Sequence, residues 1–332
     1  MTTGGIWKHT PRDAVLLVFS VAQFAVTIWL ATAWEGASVP WRAGSYALLA
    51  VMMAYNIIVI SHLFTHVPWF ASSRLNGLVS LLNSVNIGQS VQAYHLTHVR
   101  NHHRFNNDLQ GTDGTTRDTS STYRDGKDGE HAPLLSYVVM GALDSLVGRG
   151  REILYVVRLW RVGAGDANLL SLAARREPRR SKELRQVQAD RAAHCLSLVL
   201  FAAISWQWTL FCYLPSFFIA LAMVNVQNYY RHYGADPSSR ATDSVSHYGR
   251  LYNALTFNDG YHQEHHLSPA THWSQMPVVR ERRRGELDSR PRIISPVPAM
   301  LGFLDRRRPL LHHGPATGGA PSTATETRRR SA

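Results

Sequence analysis

The sequence predicts an all-α integral membrane protein: a four-helix transmembrane bundle with a cytoplasmic helical cap that carries a histidine-rich dimetal site. Three observations predict it. Four long runs lack charged side chains, arginine and lysine gather in the segments flanking one end of those runs, and histidines recur in tight clusters just beyond that end. The 332 residues are 45% hydrophobic, with 35 Lys+Arg against 23 Asp+Glu and a net charge of +12. With 17 His and only 2 Cys, a disulfide scaffold, an iron–sulfur protein and a cysteine zinc domain are all excluded. The apolar fraction argues against wholesale disorder.

The first run, Ala14 to Trp34, is 21 residues without a charge. At about 1.5 Å per residue it covers roughly 30 Å, one hydrocarbon thickness. It is too long for the apolar stretch of a signal peptide, and no small-residue cleavage site stands out. The loop 35–42 joins it to a second run, Ala43 to Ser61. A third spans Ala192 to Leu214. Pro215 is expected to break the helix there, leaving a shorter fourth run from Ser216 to Tyr230. Tyr229, Tyr230 and Tyr233 sit where an interfacial aromatic belt lies.

Charge placement sets the orientation. Residues 149–191 hold 11 basic and 5 acidic side chains, and residues 280–332 hold 12 and 5. The two hairpin loops carry one basic residue, Arg42. The positive-inside rule therefore places the N-terminal segment 1–13, the middle segment and the tail on the cytoplasmic side of the cell inner membrane. A basic chain raises the question of nucleic acid, but no recognised nucleic-acid fold signature accompanies the clusters. RREPRRSKELR (175–185) and RERRRGE (280–286) read instead as faces for anionic lipid headgroups.

The chain thus divides into the N-terminal segment, a membrane domain over 14–279, and a basic, mostly disordered tail over 280–332. Within the middle, Leu75 to Tyr94 is apolar but interrupted by Asn83, Asn86, Gln89 and Gln92, so it reads as a helix packed on the bundle. Asn106 to His131 is a turn-rich loop with three Asp-Gly steps. Ala132–Val147 and Ile153–Val162 read as two amphipathic helices, Arg158 and Arg161 alternating with Leu154, Val157 and Trp160.

Ten histidines fall in four places: HLFTH (His62, His66), YHLTHVRNHH (His95, His98, His102, His103), NYYRHYG (His232) and NDGYHQEHH (His262, His265, His266). An i, i+4 pair lies on one helical face, the geometry for two imidazoles on one metal or on neighbouring metals. His62/His66, His98/His102 and His262/His266 share that spacing, and His103 and His265 stand beside them. All four places fall at the cytoplasmic mouth of the bundle. His9, His131, His194, His247, His312 and His313 read as ordinary core or solvated residues, and His272 as a surface one. With no thiolates and no Glu-x-x-His pair, the ligands are imidazoles, too many for one ion and suited to two first-row metals, be they iron, zinc or copper.

In order, spacing and membrane placement, H-x-x-x-H, H-x-x-x-H-H and H-x-x-H-H resemble the three histidine boxes of the membrane fatty-acid desaturase and hydroxylase superfamily over roughly residues 40–280. NYYRHYG is similar to the single-His element of membrane alkane monooxygenases, and NDGYHQEHH to the third box of bacterial acyl-lipid desaturases. The resemblance implies nine ligands for two irons, with O2 as co-substrate: His62, His66, His98, His102, His103, His232, His262, His265 and His266. It also implies a water-mediated role for Asn228, four residues before the single His. His95, Asp259 and Glu264 are expected to orient imidazoles from outside the ligand set. The chain departs from hydroxylases at Leu63, where they often carry an acid. It lacks the H-P-G-G element of a fused cytochrome. Cys195 and Cys212, both read inside the third span, cannot form a rubredoxin site. Electrons are therefore expected from a separate ferredoxin-, rubredoxin- or cytochrome-type carrier. The implied reaction is oxidation of an alkyl chain drawn from the bilayer, with fatty-acyl desaturation ahead of alkane or fatty-acid hydroxylation and of decarboxylation to a terminal alkene. A histidine-rich transporter is the alternative outside this class. It would place polar ligands near the bilayer midplane.

Overall fold

Eight helices build and position the site: α1 (Asp13–Thr32), α2 (Val39–His66), α3 (Ser73–Ile87), α4 (residues 91–105), α5 (Leu134–Leu159), α6 (Arg179–Ile204), α7 (Trp206–His232) and α8 (His262–Leu267). This computed structural model describes residues 5–159 and 167–313. Helices α1, α2, α6 and α7 are long and apolar enough to cross a membrane. The regular strand pairing among the described residues is one short parallel pair, β1 (Val245–Ser246) with β2 (Ile293–Ile294).

The spans are built inside out relative to a soluble bundle. On α1, Val15, Val18, Phe19, Val21 and Trp29 face outward, while Ser20, Gln23 and Thr27 are buried. An apolar outer surface is what lipid solvates, and inward amides supply directional bonds that hydrocarbon cannot. The Gln23 amide donates to the Asn86 carbonyl at 2.9 Å, Asn86 donates to the Ser20 carbonyl at 2.8 Å, and Asn56 donates to Gln23 Oε1 at 2.8 Å. The asparagines that interrupt 75–94 thus tie α3 between α1 and α2. Helix α3 stops at Gly88, in the left-handed region at φ +63°, where a Cβ would lie 2.8 Å from the Phe217 ring.

Four readings change. The third span ends at Ser205 rather than Leu214, so Cys212 belongs to the fourth span. Ser205 is extended (φ −157°, ψ 105°), and its hydroxyl accepts the Trp208 N–H at 3.2 Å, capping α7. Pro215 lies inside α7 just after a π-turn at Thr209–Tyr213, where the hydrogen-bond ladder changes register and tolerates a residue without an N–H. The two helices read over 132–162 are one helix as far as Leu159, with Leu143, Val147 and Leu154 exposed along it. Residues 160–162, with the alternation read there, lie outside the described residues.

The third change concerns the tail, which is folded through residue 313. β2 pairs on β1, Gly302 packs against the Tyr230 ring, and buried Arg308 donates to the Tyr230 carbonyl at 2.8 Å and to Ser295 Oγ at 3.0 Å. Residues 314–332 lie outside the described residues. Finally, His272 is buried. It bonds Asp13 at 3.0 Å and stacks on His9, holding the segment after α8 to the start of α1.

Candidate metal centre

The first group of imidazoles forms where α2, α4 and α8 meet. A π-turn at Asn56–Ser61 delivers the end of α2 into the site, closed by a Ser61 hydroxyl donating to Asn56 Oδ1 at 2.7 Å. A second π-turn covers His98–His102 in α4. There the bond ladder runs i to i+5, which brings His103 Nε2 to 3.2 Å from His98 Nε2. The His102 ring stacks on His98 with centroids 5.1 Å apart and gives its donor atom to the other group. Of the three i, i+4 pairs, His98/His102 is therefore split between two groups, whereas His62 and His66 stay together. His98 and His103 sit in one group with His62, His66 and His265, their donor atoms all within 4.8 Å of one another. His102 sits in the other.

Facing Nε2 atoms are 3.0 Å apart for His62 and His265, 3.0 Å for His265 and His103, and 3.2 Å for His103 and His98. With metal–imidazole bonds near 2.1 Å, nitrogens at right angles on one ion lie roughly 3.0 Å apart, so these spacings fit edges of one coordination shell.

The second group joins α4, α7 and α8. Donor atoms of His102, His232 and His266 lie within 4.8 Å of one another, and the His262 ring centroid is 4.5 Å from that of His266. His103 and His266, with centroids 4.6 Å apart, make the two groups contiguous.

Several rings have their protons placed by the outer contacts. The His102 Nδ1–H donates to Asp118 Oδ2 at 2.7 Å, His232 Nδ1–H to the Asp243 carbonyl at 2.9 Å, and His62 Nδ1–H to the Ile58 carbonyl at 3.0 Å. Each bond leaves the Nε2 lone pair of that ring directed into the site. Buried nitrogens without a hydrogen-bond partner among the described residues include His102 Nε2, His232 Nε2 and both nitrogens of His66, His262 and His266. Native interiors rarely leave such groups unpaired, and a cation gives one nitrogen of each ring a partner. The donor set fits two first-row metals.

Electrostatics agree with neutral ligands. Burial, reinforced by neighbouring imidazoles or Arg231, holds His98, His103, His262, His265 and His266 well below 6.5. Burial opposes ionisation of Asp118, yet the His102 imidazole and Ser120 keep its carboxyl below the usual range. At Asp243 burial outweighs the hydrogen bonds from Ser244 and Gln263 and the charges of His102 and Arg240, and pushes the carboxyl up to about 7.

The other sequence-read residues take distinct places. Asp259 stands 3.5 Å from His62 Nδ1 and forms a buried ion pair with Arg231. Glu264 accepts from Ser246 at 2.9 Å and Tyr248 at 2.6 Å, so its carboxylate serves the surrounding wall rather than an imidazole. The Asn228 amide donates to Tyr137 Oη at 2.7 Å and to the Ser120 carbonyl at 3.1 Å. His95 bonds the Thr65 carbonyl at 2.7 Å through Nδ1 and lines a cavity of about 540 Å³ with Phe64, His66 and Val91. Exposed Arg179 and Lys182 stand at that cavity. Sequence reasoning missed Asp118, Asp243, Ser120 and Arg231. Only Arg231, beside His232, stood next to a recognised cluster.

The profile described as fatty acid desaturase matches residues 38–296, most of the chain and all four histidine places. The chain belongs to the fatty acid desaturase family. No curated protein matches it. As a desaturase-family member it is a lipid-acting oxidoreductase, and its histidine groups are compatible with the metal dependence of that family.

Proposed function

We propose that this protein is an O2-dependent di-iron fatty-acyl desaturase of the cell inner membrane, with the metal centre and both termini on the cytoplasmic side. The observation that carries the reading is the division of nine imidazoles into two contiguous groups beneath four apolar helices. His62, His66, His98, His103 and His265 would hold one iron, and His102, His232, His262 and His266 the other. Bound there, two irons with O2 supply the oxidant that an unactivated C–H bond requires and protein side chains lack.

The chain's own residues do the remaining work. Asp118 holds the proton on His102 Nδ1, and the Asp243 carbonyl holds the one on His232. Burial keeps His98, His103, His262, His265 and His266 unprotonated. The cavity beside His66 and His95 offers about 540 Å³ for an alkyl chain, with Arg179 and Lys182 suited to an anionic head. Asn228, one helical turn before His232, would hold a water near the second group through its Oδ1. Residues 14–279 form the catalytic unit, and electrons come from a separate carrier docking on the basic surface. NDGYHQEHH favours desaturation over hydroxylation or decarboxylation.

Membranes from cells making the protein should carry about two irons per chain and turn acyl lipids over with O2 to products two mass units lighter. A gain of sixteen mass units would assign hydroxylation instead. Full zinc occupancy in an active preparation would sink the oxidative reading.

A further inference from the structure

We infer that Glu130, His312 and His313 form a third metal site, for a single zinc-class divalent cation, that fastens the C-terminal segment onto the loop walling the desaturase centre. The three donor atoms lie within 4.8 Å of one another. His312 Nε2 is 3.2 Å from Glu130 Oε2, and His313 Nε2 is 2.6 Å from Oε1. The His312 side chain is only 1% exposed and turns Nε2 to Glu130, while Glu130 and His313 are 53% and 47% exposed. Two imidazoles and a carboxylate, with room for water, are a donor set that zinc and its neighbours take.

The surroundings are built to present these groups. The His312 ring packs against His131 at 4.6 Å and Tyr123 at 6.0 Å, so one face of the site is apolar and fixed. His131 is itself locked: its Nε2 accepts the Gly234 N–H at 2.9 Å, so Nδ1 carries the proton toward Thr122 at 2.7 Å. Leu311 N–H bonds the Gly234 carbonyl at 2.7 Å, setting the backbone just before the two histidines. The family match ends at residue 296, so the two histidines lie outside what the chain shares with the family, while Glu130 lies within it.

An ion here links residues 182 and 183 positions apart, joining the tail to the loop that bears Asp118 and Ser120. Without the ion, the same atoms make two ordinary His–Glu hydrogen bonds. The site is distinct from the two iron groups, so the two readings fail separately.

The test uses the full chain, loaded with iron and carrying no histidine tag, titrated with Zn2+ and with Co2+ as a coloured probe. The parent should bind one divalent ion beyond its iron content. His313→Ala and Glu130→Gln should lose that ion with iron unchanged, while His102→Ala should lose iron and keep it. Trypsin supplies a second readout at exposed Arg306 and Arg307. Free Zn2+ at a hundred times its dissociation constant should slow cleavage roughly a hundred-fold in the parent, since cleavage follows the open population. His313→Ala should show no such protection. Equal zinc binding by parent and His313→Ala, or cleavage indifferent to zinc in the parent, would overturn the inference.

Discussion

The two histidine groups are assembled by different means. In the five-membered group the rings are organised chiefly by helices: α2 and α4 both pass through π-turns, and Nε2 atoms face one another at 3.0–3.2 Å. In the other group, His102 and His232 are held from loops, by Asp118 and by the Asp243 carbonyl. Asp243 also stands 3.6 Å from His266 Nδ1. One group is set by helical register and the other by irregular chain wrapped behind it. Helices tolerate loss of an outer contact better than a loop whose order depends on it.

The largest expected effect comes from removing a shared ring of the helix-built group. His265→Ala should cost more than about a hundred-fold in turnover, beyond what outer contacts contribute, and lower the iron content. Metal analysis beside product mass spectrometry reads both. An unchanged iron content would break the proposed partition.

Asp118→Asn should come next, at roughly 10- to 100-fold in metal affinity or turnover, because the amide no longer secures the His102 tautomer. It also loosens the loop, since Asp118 accepts the Asn107 N–H at 2.8 Å. Proteolysis of 106–131 should quicken in this variant and stay unchanged in His265→Ala.

Acid should act in the same direction on both groups. An unfolded chain takes up protons on His98, His103, His262, His265 and His266 as pH falls through about 6.5, whereas in the folded chain these rings stay neutral. Folded pKa values below the unfolded value mean stability is full above that pH and drains away beneath it. Competition between protons and metal adds to the loss. Melting of the metal-free protein between pH 7.5 and 5.5 checks the sign, and a flat or rising profile refutes the buried-neutral assignment.

The smallest change should be Glu264→Gln. Its partners are Ser246 and Tyr248, so iron content should hold within about two-fold while stability falls by roughly 1–3 kcal/mol from the disturbed buried bonds. A loss of iron as large as that of Asp118→Asn would mean the carboxylate reaches a ligand after all.

Much of this molecule could be read from residue order. Apolar runs long enough to cross a bilayer report their own length, and three repeated histidine spacings announce a shared purpose. Where the reading slipped, the cause was local geometry without a compositional mark. A π-turn inserts no special residue type, so nothing at 98–102 warns that His98 partners His103 rather than His102. Pro215 looked like the hairpin, yet a register change just upstream absorbed it and Ser205 made the turn. Asp118, Asp243 and the folded tail were invisible for a related reason: each matters through a neighbour far along the chain.

Sequence by itself determined the four apolar helices, the histidine inventory and the family, because hydrophobic length and ligand type are properties of residues in order. Tertiary structure alone decided which imidazole joins which group, which carboxylates stand behind them, and where the tail docks. Those choices depend on directions in space at the scale of a single hydrogen bond, and direction is set only when distant segments pack.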